Sequence, residues 1–311
     1  MVRAVTPTSV SKVIARLIDR VKEAESASMT TKDREITESV VTFAIPTLNR
    51  ARSLAYLLDS ITKQNYSKYE IIVIDGNSTD DTEQVVRHYG ARLISVDRST
   101  SLSRARQVGF QSARGDIVAM FDSDVILPHR GWLGNAVRLF SVSKNVSTVW
   151  CLAVAGEGKI LAKAYADVTW CFSLSEFLAG RFPAGGGGSL FRLQYVRQVG
   201  GIDVDMDYGE DFYLARKLKA AGFKVVLNPE PIVHVSHTTW HEILQKELRR
   251  NRSFARADVQ TLTGYGEYEL AARQLLNAIK STLLGIALDA DVSWLLVPLI
   301  MLMRGMARLL S

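Results

Sequence analysis

Ile71-Ile-Val-Ile-Asp75-Gly-Asn-Ser-Thr-Asp80-Asp is a short apolar run that ends in a carboxylate and a string of small polar residues. It reads as a buried strand followed by a turn. The pattern repeats on both sides. Val40 to Ile45 reads as a strand, Arg52 to Lys63 as a helix, Tyr69 to Ile74 as a strand and Thr82 to Tyr89 as a helix. Ala91 to Val96, Ser101 to Ala113 and Ile117 to Phe121 continue as strand, helix and strand. Such alternation predicts a parallel α/β sheet. Right-handed crossovers then set the C-terminal ends of the strands along one rim, where ligands bind.

Polar residues gather on that predicted rim. Asn49 and Arg50 follow the first strand in Pro46-Thr-Leu-Asn-Arg, Asp75 follows the second, and Asp122-Ser123-Asp124 follows the fourth. A single carboxylate there is explained as a helix cap or turn former. Three clusters on one rim are not. Neither GxGxxG nor GxxxxGK[ST] follows the first strand, which disfavours a dinucleotide oxidoreductase and a P-loop NTPase. Asp122 and Asp124 are spaced so that both carboxylates can approach one site, and hard oxygen ligands suit Mg²⁺ or Mn²⁺.

Glu210-Asp211 follows Gly209 and opens the helical pattern Leu214, Leu218, Ala221, which ends at the C-capping Gly222. A strand from Val225 to Val235, broken by Asn228-Pro229, comes next, with His234 and His237 at its end. Satisfied structural histidines and metal-site histidines are both open readings. Upstream, Gly185 to Gly188 is a run of four glycines, so the backbone there must bend sharply or approach a ligand closely.

The 311 residues, 47% hydrophobic and 23% charged, exclude a disordered, collagen-like or disulfide-stapled chain. The net charge of +6 favours anionic partners: nucleotides, phospholipid headgroups or nucleic acid. Cys151 and Cys171 lack zinc-site spacing and read as core thiols in a reducing compartment. No apolar stretch of signal-peptide length follows Arg3, so the chain is expected to work inside the cell.

Four segments are expected: 1–39, an amphipathic helix and linker; 40–237, the catalytic domain; 238–260, a basic helix; and 261–311, an apolar tail. The N-terminal helix, with Val10, Val13, Ile14, Leu17, Ile18 and Val21 at helical spacing, either packs on the main domain or docks on a membrane surface. The basic helix carries Lys246, Arg249, Arg250, Arg252 and Arg256 among Trp240, Ile243, Leu244 and Leu248, and is either solvated or interfacial. In the tail, Glu269 to Leu288 and Val292 to Ser311 flank Asp289-Ala-Asp291, each arm near the length that crosses a bilayer. Folded at that turn, the arms put Arg273, Lys280, Arg304 and Arg308 toward one side, as a positive-inside hairpin requires. The deep Lys280 makes two helices lying on the surface the alternative.

Taken in order, Pro46-Thr-Leu-Asn-Arg, Ile71 to Thr82, Arg104-Ala-Arg106-Gln-Val-Gly109, Arg114 to Asp124, Gly188-Ser-Leu-Phe-Arg192 and Gly209-Glu210-Asp211 resemble the motif series of family 2 glycosyltransferases, over residues 40 to 237. The resemblance implies a GT-A fold, a Rossmann-like mixed sheet, and inverting transfer of a sugar from a nucleotide-diphosphate donor. By that resemblance Pro46, Asn49 and Arg50 shape the nucleoside pocket and Asp75 contacts base or ribose. Asp80, Ser123, Arg104 and Arg106 join the donor site. Asp122 and Asp124 hold Mn²⁺ or Mg²⁺, with His237 or His234 nearby, and Asp211 and Glu210 are the catalytic carboxylates, Asp211 the general base. Gly187, Gly188, Arg249, Arg250 and Arg252 border the acceptor or the donor diphosphate. Gln107 stands where the family usually has Asn.

A carboxylate base suits a hydroxyl acceptor, since a phosphate is already ionised. The expected protein is therefore a hexosyltransferase using GDP- or UDP-sugar, GDP-mannose first, and a lipid-linked acceptor at the cytoplasmic face of the cell membrane. A polyprenyl-phosphate glycosyltransferase and a non-catalytic membrane-binding scaffold are the alternatives. A nucleic-acid-binding module accounts for the charge but for neither the acidic rim nor the apolar tail.

Overall fold

The computed structural model describes residues 12, 14–16, 18–19, 38–156, 160–179, 188–204, 209–235, 239–256, 267–289 and 291–309. The chain divides into two compact units. The first, Met1–Ala4, Ser26–Ala153 and Ala184–Val235, holds an eight-stranded sheet among the described residues. Its first half follows the expected rhythm: β1 (Val41–Thr47), α1 (Ala51–Thr62), β2 (Tyr69–Asp75), α2 (Thr82–His88), β3 (Arg92–Ser95), α3 (Leu102–Ser112) and β4 (Ile117–Met120). These four strands are parallel.

The second half adds antiparallel strands, as the family resemblance implies and the strand rhythm of the first half does not reveal. After β5 (Val125–Ile126), α4 (Trp132–Arg138) and β6 (Val146–Ala155), the chain returns as β7 (Ser189–Arg192), α6 (Leu193–Gln198), α7 (Glu210–Ala220) and β8 (Lys224–His234), with α5 described below. The strand order is β3-β2-β1-β4-β7-β6-β8-β5, and β7 runs antiparallel to both β4 and β6. The sheet is mixed.

β1 is buried at every residue, as the central strand of a covered sheet must be. Its residues bond alternately to the two neighbours: Val41 donates to Lys68 on the β2 side, and Ala44 accepts from Phe121 on the β4 side. By that parity Pro46 faces β4, where the pairing has already ended at Ala44 and Met120. A residue without an N–H closes the ladder there, and the chain leaves the sheet just as Asp122 begins. Helix α3 crosses β1 and β4 through Gly109, where a Cβ would lie 3.1 Å from that of Ala44. Ala105 and Phe110 of α3 pack in one core with Ile72, Ile74, Val118 and, from α7, Leu214 and Leu218. Helices α3 and α7 therefore lie side by side on one face of the sheet.

β8 is one continuous strand, although Asn228-Pro229 predicts a break. Its outer neighbour β5 pairs only with Val233 and His234, so Pro229 sits beyond the reach of that ladder. Asn228 Oδ1 also accepts the Glu230 amide at 3.0 Å.

The second unit comprises Val5–Glu25, Val154–Pro183 and Ser236–Ser311, with helices α5 (Ile160–Leu178), α8 (Trp240–Arg256), α9 (Glu267–Asp289) and α10 (Val297–Leu309). Ile14 and Ile18 of the N-terminal helix are buried, and the segment belongs to this unit rather than to the sheet domain. Among the described residues no helix is long and apolar enough to cross a membrane, where the sequence suggests two arms of spanning length. The second arm begins with a short 3-10 turn, Val292–Leu296, before α10. Its charges also turn inward. Asp291 lies 3.3 Å from Lys163 Nζ, which donates to Asp167 at 2.7 Å. Arg304 donates to Glu247 at 3.1 Å and to Thr169 at 2.6 Å, and Tyr165 donates to Glu247 at 2.7 Å. The apolar side chains face outward instead: Leu276, Ile279 and Leu283 on α9, and Leu295, Leu299 and Leu302 after the turn, are each about half exposed or more.

Candidate active site

The rim of β1, β2 and β4 carries a hydrogen-bonded pair of loops. Asn49 and Asn77 are the two non-glycine residues with positive φ among the described residues, at 52° and 61°. Backbone of this kind is uncommon outside glycine and clusters at functional sites. Asn49 accepts from the Thr79 amide at 2.8 Å, and its own amide donates to Ser78 Oγ at 2.8 Å. Ser78 in turn donates to both oxygens of Asp75, from its amide at 3.0 Å and from its hydroxyl at 2.5 Å. Asp75 is thus buried and locked into its own turn.

Asp80 accepts from the Ala51 amide at 3.0 Å and from the Thr82 amide and hydroxyl at 3.1 and 2.5 Å. Its oxygens tie together the starts of α1 and α2. The water it loses in this turn opposes its ionisation, but the bonds from Thr82 and Ala51 prevail and hold the exposed carboxyl below its usual range. Arg50, at the start of α1, and Arg104, on α3, are exposed. Thr47 Oγ1 and Ser189 Oγ, at the ends of β1 and β7, are buried without a hydrogen-bond partner.

Beyond β4 the chain delivers Asp122, Ser123 and Asp124. Ser123 is buried, and the Asp122 and Asp124 side chains keep 35% and 18% of their exposure. The register of β5 against β8 sets Val125 opposite His234, and the Val235 amide donates to Asp124 O at 2.8 Å. His234 Nε2 consequently lies 3.5 Å from Asp124 Oδ1. His237 and Gly187 lie outside the described residues. Gly188 adjoins the end of β4: its amide donates to Met120 O at 2.8 Å, its φ is 127°, and a Cβ there would come within 2.5 Å of Ile232 Cδ1. The side chains of Arg249, Arg250 and Arg252 are outside the described part of α8.

Arg106 joins these parts, and no signal in the sequence pairs it with its partners. It is buried on α3, donates from Nη2 to Asp122 Oδ1 at 2.6 Å, and from Nη1 to Glu210 Oε1. Burial disfavours its charge, but Asp122, Glu210 and Asp211 outweigh that and hold it protonated, its pKa raised. Glu210, expected as a catalytic carboxylate with Asp211, turns inward to this ion pair. Asp211 follows it in the first turn of α7, after Gly209 in left-handed conformation, and its Oδ1 accepts the Phe212 amide at 2.8 Å. Part of the residue reaches solvent, yet its carboxyl is enclosed. Loss of water first, then the charge of Glu210, against the pull of Arg106, push it up to about 7. Gln107 serves the local structure, where its Oε1 accepts the Ile202 amide at 2.9 Å.

Among the described residues no group of three or more His, Cys, Asp or Glu side chains is gathered to hold a metal ion unaided. The donor set fits an ion that takes two carboxylate oxygens from the protein and the rest from a diphosphate and water, the habit of Mg²⁺ and Mn²⁺.

Residues 42–185 match the family described as glycosyl transferase family 2, and residues 117–309 match glycosyl transferase family group 2. The glycosyltransferase AglE of Haloferax volcanii is 26% identical over 67% of this chain and 71% of its own length. A pre-mycofactocin glycosyltransferase of Mycobacterium tuberculosis is 29% identical over 63% of this chain, which spans only 42% of that relative's length. Among solved structures, a mannosyltransferase from Pyrobaculum calidifontis in complex with GDP-Man and Mn²⁺ aligns with a TM-score of 0.57 at 20% identity, over 94% of this chain and 85% of its own. Glucosyl-3-phosphoglycerate synthase from Mycobacterium tuberculosis, with Mn²⁺ and UDP, aligns with a TM-score of 0.51 at 20% identity, over 80% and 85%. The protein belongs to the family 2 glycosyltransferases and is an enzyme that works on a sugar nucleotide.

Proposed function

We propose that this protein is an inverting hexosyltransferase that moves a sugar, mannose from GDP-mannose first, to a hydroxyl of a lipid-linked acceptor at the cytoplasmic face of the cell membrane. The observation that carries the reading is Asp211, a carboxyl raised to about 7 at the start of α7, close enough to Arg106 and Asp122 to feel both charges. Such a group accepts a proton near neutral pH. The loops of Asn49 and Asp75, with Pro46 and Arg50, form the nucleoside end of the site. Asp122 and Asp124, with His234 adjoining, would hold Mn²⁺ or Mg²⁺, which as a Lewis acid stabilises the charge growing on the leaving diphosphate.

The acceptor oxygen bonds to the anomeric carbon from the face opposite the leaving group. The bond from that carbon to the diphosphate oxygen breaks, and the hydroxyl proton passes to Asp211. The nucleoside diphosphate leaves with the electron pair. A thermal-shift panel of GDP, UDP and their sugars with Mn²⁺ tests the donor, because a ligand that binds the native state raises its melting point by mass action. Asp211→Asn is expected to bind donor as wild type and to transfer roughly 10²–10⁴-fold more slowly. Full activity of that variant on a phosphate acceptor would favour the polyprenyl-phosphate reading.

Membrane association is supported by the outward apolar stripes of α9 and α10 and the inward ion pairs of the same unit. Helices of this kind bury one side in the headgroup boundary and lie in its plane. Lys280, exposed beside Ile279, would reach lipid phosphate there.

A further inference from the structure

We propose that Arg106 and Glu210 form a positioning couple that sets how tightly Asp122 takes its divalent cation. The inference rests on the reading of Asp122 as a cation ligand. The guanidinium is forked between two carboxylates on different elements: Nη2 donates to Asp122 Oδ1 at 2.6 Å, and Nη1 donates to Glu210 Oε1. The Arg106 and Glu210 side chains keep 6% and 3% of their exposure, against 35% for Asp122. The two inner members are out of water, and the outer one faces it. Arg106 Nε is buried without an acceptor, so the two terminal nitrogens are the contacts that hold the group.

Charge decides what such a fork does. A cation arriving at Asp122 meets a second positive charge already bonded to the same carboxylate. In a low-dielectric interior that repulsion is large, because charges there are poorly screened. Glu210 on the opposite arm offsets it. With Glu210 ionised the couple is neutral, and Asp122 keeps its negative charge for the incoming ion. With the Glu210 charge removed, the full charge of Arg106 falls on Asp122, and protein and metal compete for one carboxylate. Glu210 thus acts through Arg106 and needs no contact with substrate. Because Glu210 adjoins Asp211 on α7, and Arg106 lies on α3, the couple also ties the helix of the base to the carboxylate of the donor site.

The experiment is calorimetric titration of Mn²⁺ into the full-length protein with GDP present, and with Mn²⁺ alone. Glu210→Gln keeps the shape and an acceptor oxygen for Arg106 but drops the charge. It is expected to weaken Mn²⁺ by roughly tenfold, a coupling of the size found for close charge pairs. Arg106→Gln added to Glu210→Gln removes the competing cation and is expected to restore Mn²⁺ affinity to the wild-type level or above. A merely structural role predicts the reverse order, since the double variant loses more native bonds. If the single variant does not fold, the double variant, which buries no charge at these two positions, still gives the decisive comparison with wild type. Unchanged Mn²⁺ affinity in folded Glu210→Gln, or a double variant weaker than wild type by tenfold, overturns the couple and leaves the cation reading intact. Wild-type protein that binds Mn²⁺ and GDP no better than Asp122→Asn overturns both.

Discussion

Asp211 ties chemistry to stability at a single residue. Its carboxyl is raised to about 7, so in the free enzyme half of the base is protonated near that pH, and kcat/KM is expected to fall about tenfold per unit below it. A pH profile that stays flat down to 5 would remove Asp211 from the base role. The same shift has a thermodynamic sign. Between the ordinary carboxylate range near 4 and the folded value near 7, the native state holds a proton that the unfolded chain lacks, so stability falls as pH rises through that window and stays low above it. Asp211→Asn escapes this and is expected to melt higher than wild type at pH 8, with the gain fading toward pH 4. Melting curves at the two pH values check it. At this scale the sequence shows where these carboxylates stand, because Asp75, Asp122 and Asp211 each lie at or beside the end or start of a recognisable element. It was silent on what they touch. Arg106 and Glu210 are 104 residues apart, and only the packing of α3 beside α7 joins them.

At the scale of elements, Gly188 shows why the glycine run precedes β7. Its φ of 127° and its closeness to Ile232 leave no room for a side chain, and its amide closes onto Met120 at the mouth of the site. Gly188→Ala is expected to cost about 1–3 kcal/mol through backbone strain and overpacking, measurable by denaturant unfolding, and to weaken donor binding more than a surface Gly90→Ala change does. The parallel half of the sheet was readable from its apolar runs and intervening helices. The antiparallel half was not, for a physical reason: β5 is two residues long, too short to leave a pattern, yet its register is what brings His234 to Asp124. Asn228-Pro229 misled for a related reason, since a proline breaks a strand only where a neighbour needs its N–H.

For the whole molecule, the apolar tail is plain in the sequence, but the partners of two of its charges are not. Arg304 and Asp291 look like the ends of a hairpin when read along the chain, and they are internal partners of Glu247 and Lys163. Flotation with vesicles of mixed neutral and anionic lipid is expected to carry the wild-type protein. Leu276→Glu with Leu283→Glu and Leu299→Glu should leave it at the bottom of the gradient, while donor stabilisation by Mn²⁺ and nucleotide sugar is unchanged. Flotation of that triple variant would move the contact elsewhere. A last consequence concerns the order of synthesis. The sheet is interrupted after β6 by α5, which belongs to the helical unit. On the ribosome β4 therefore waits with a bare hydrogen-bonding edge until β7 emerges, and bare edges recruit stray strands. A nascent chain stalled within α5 is for that reason the form of this protein most exposed to aggregation.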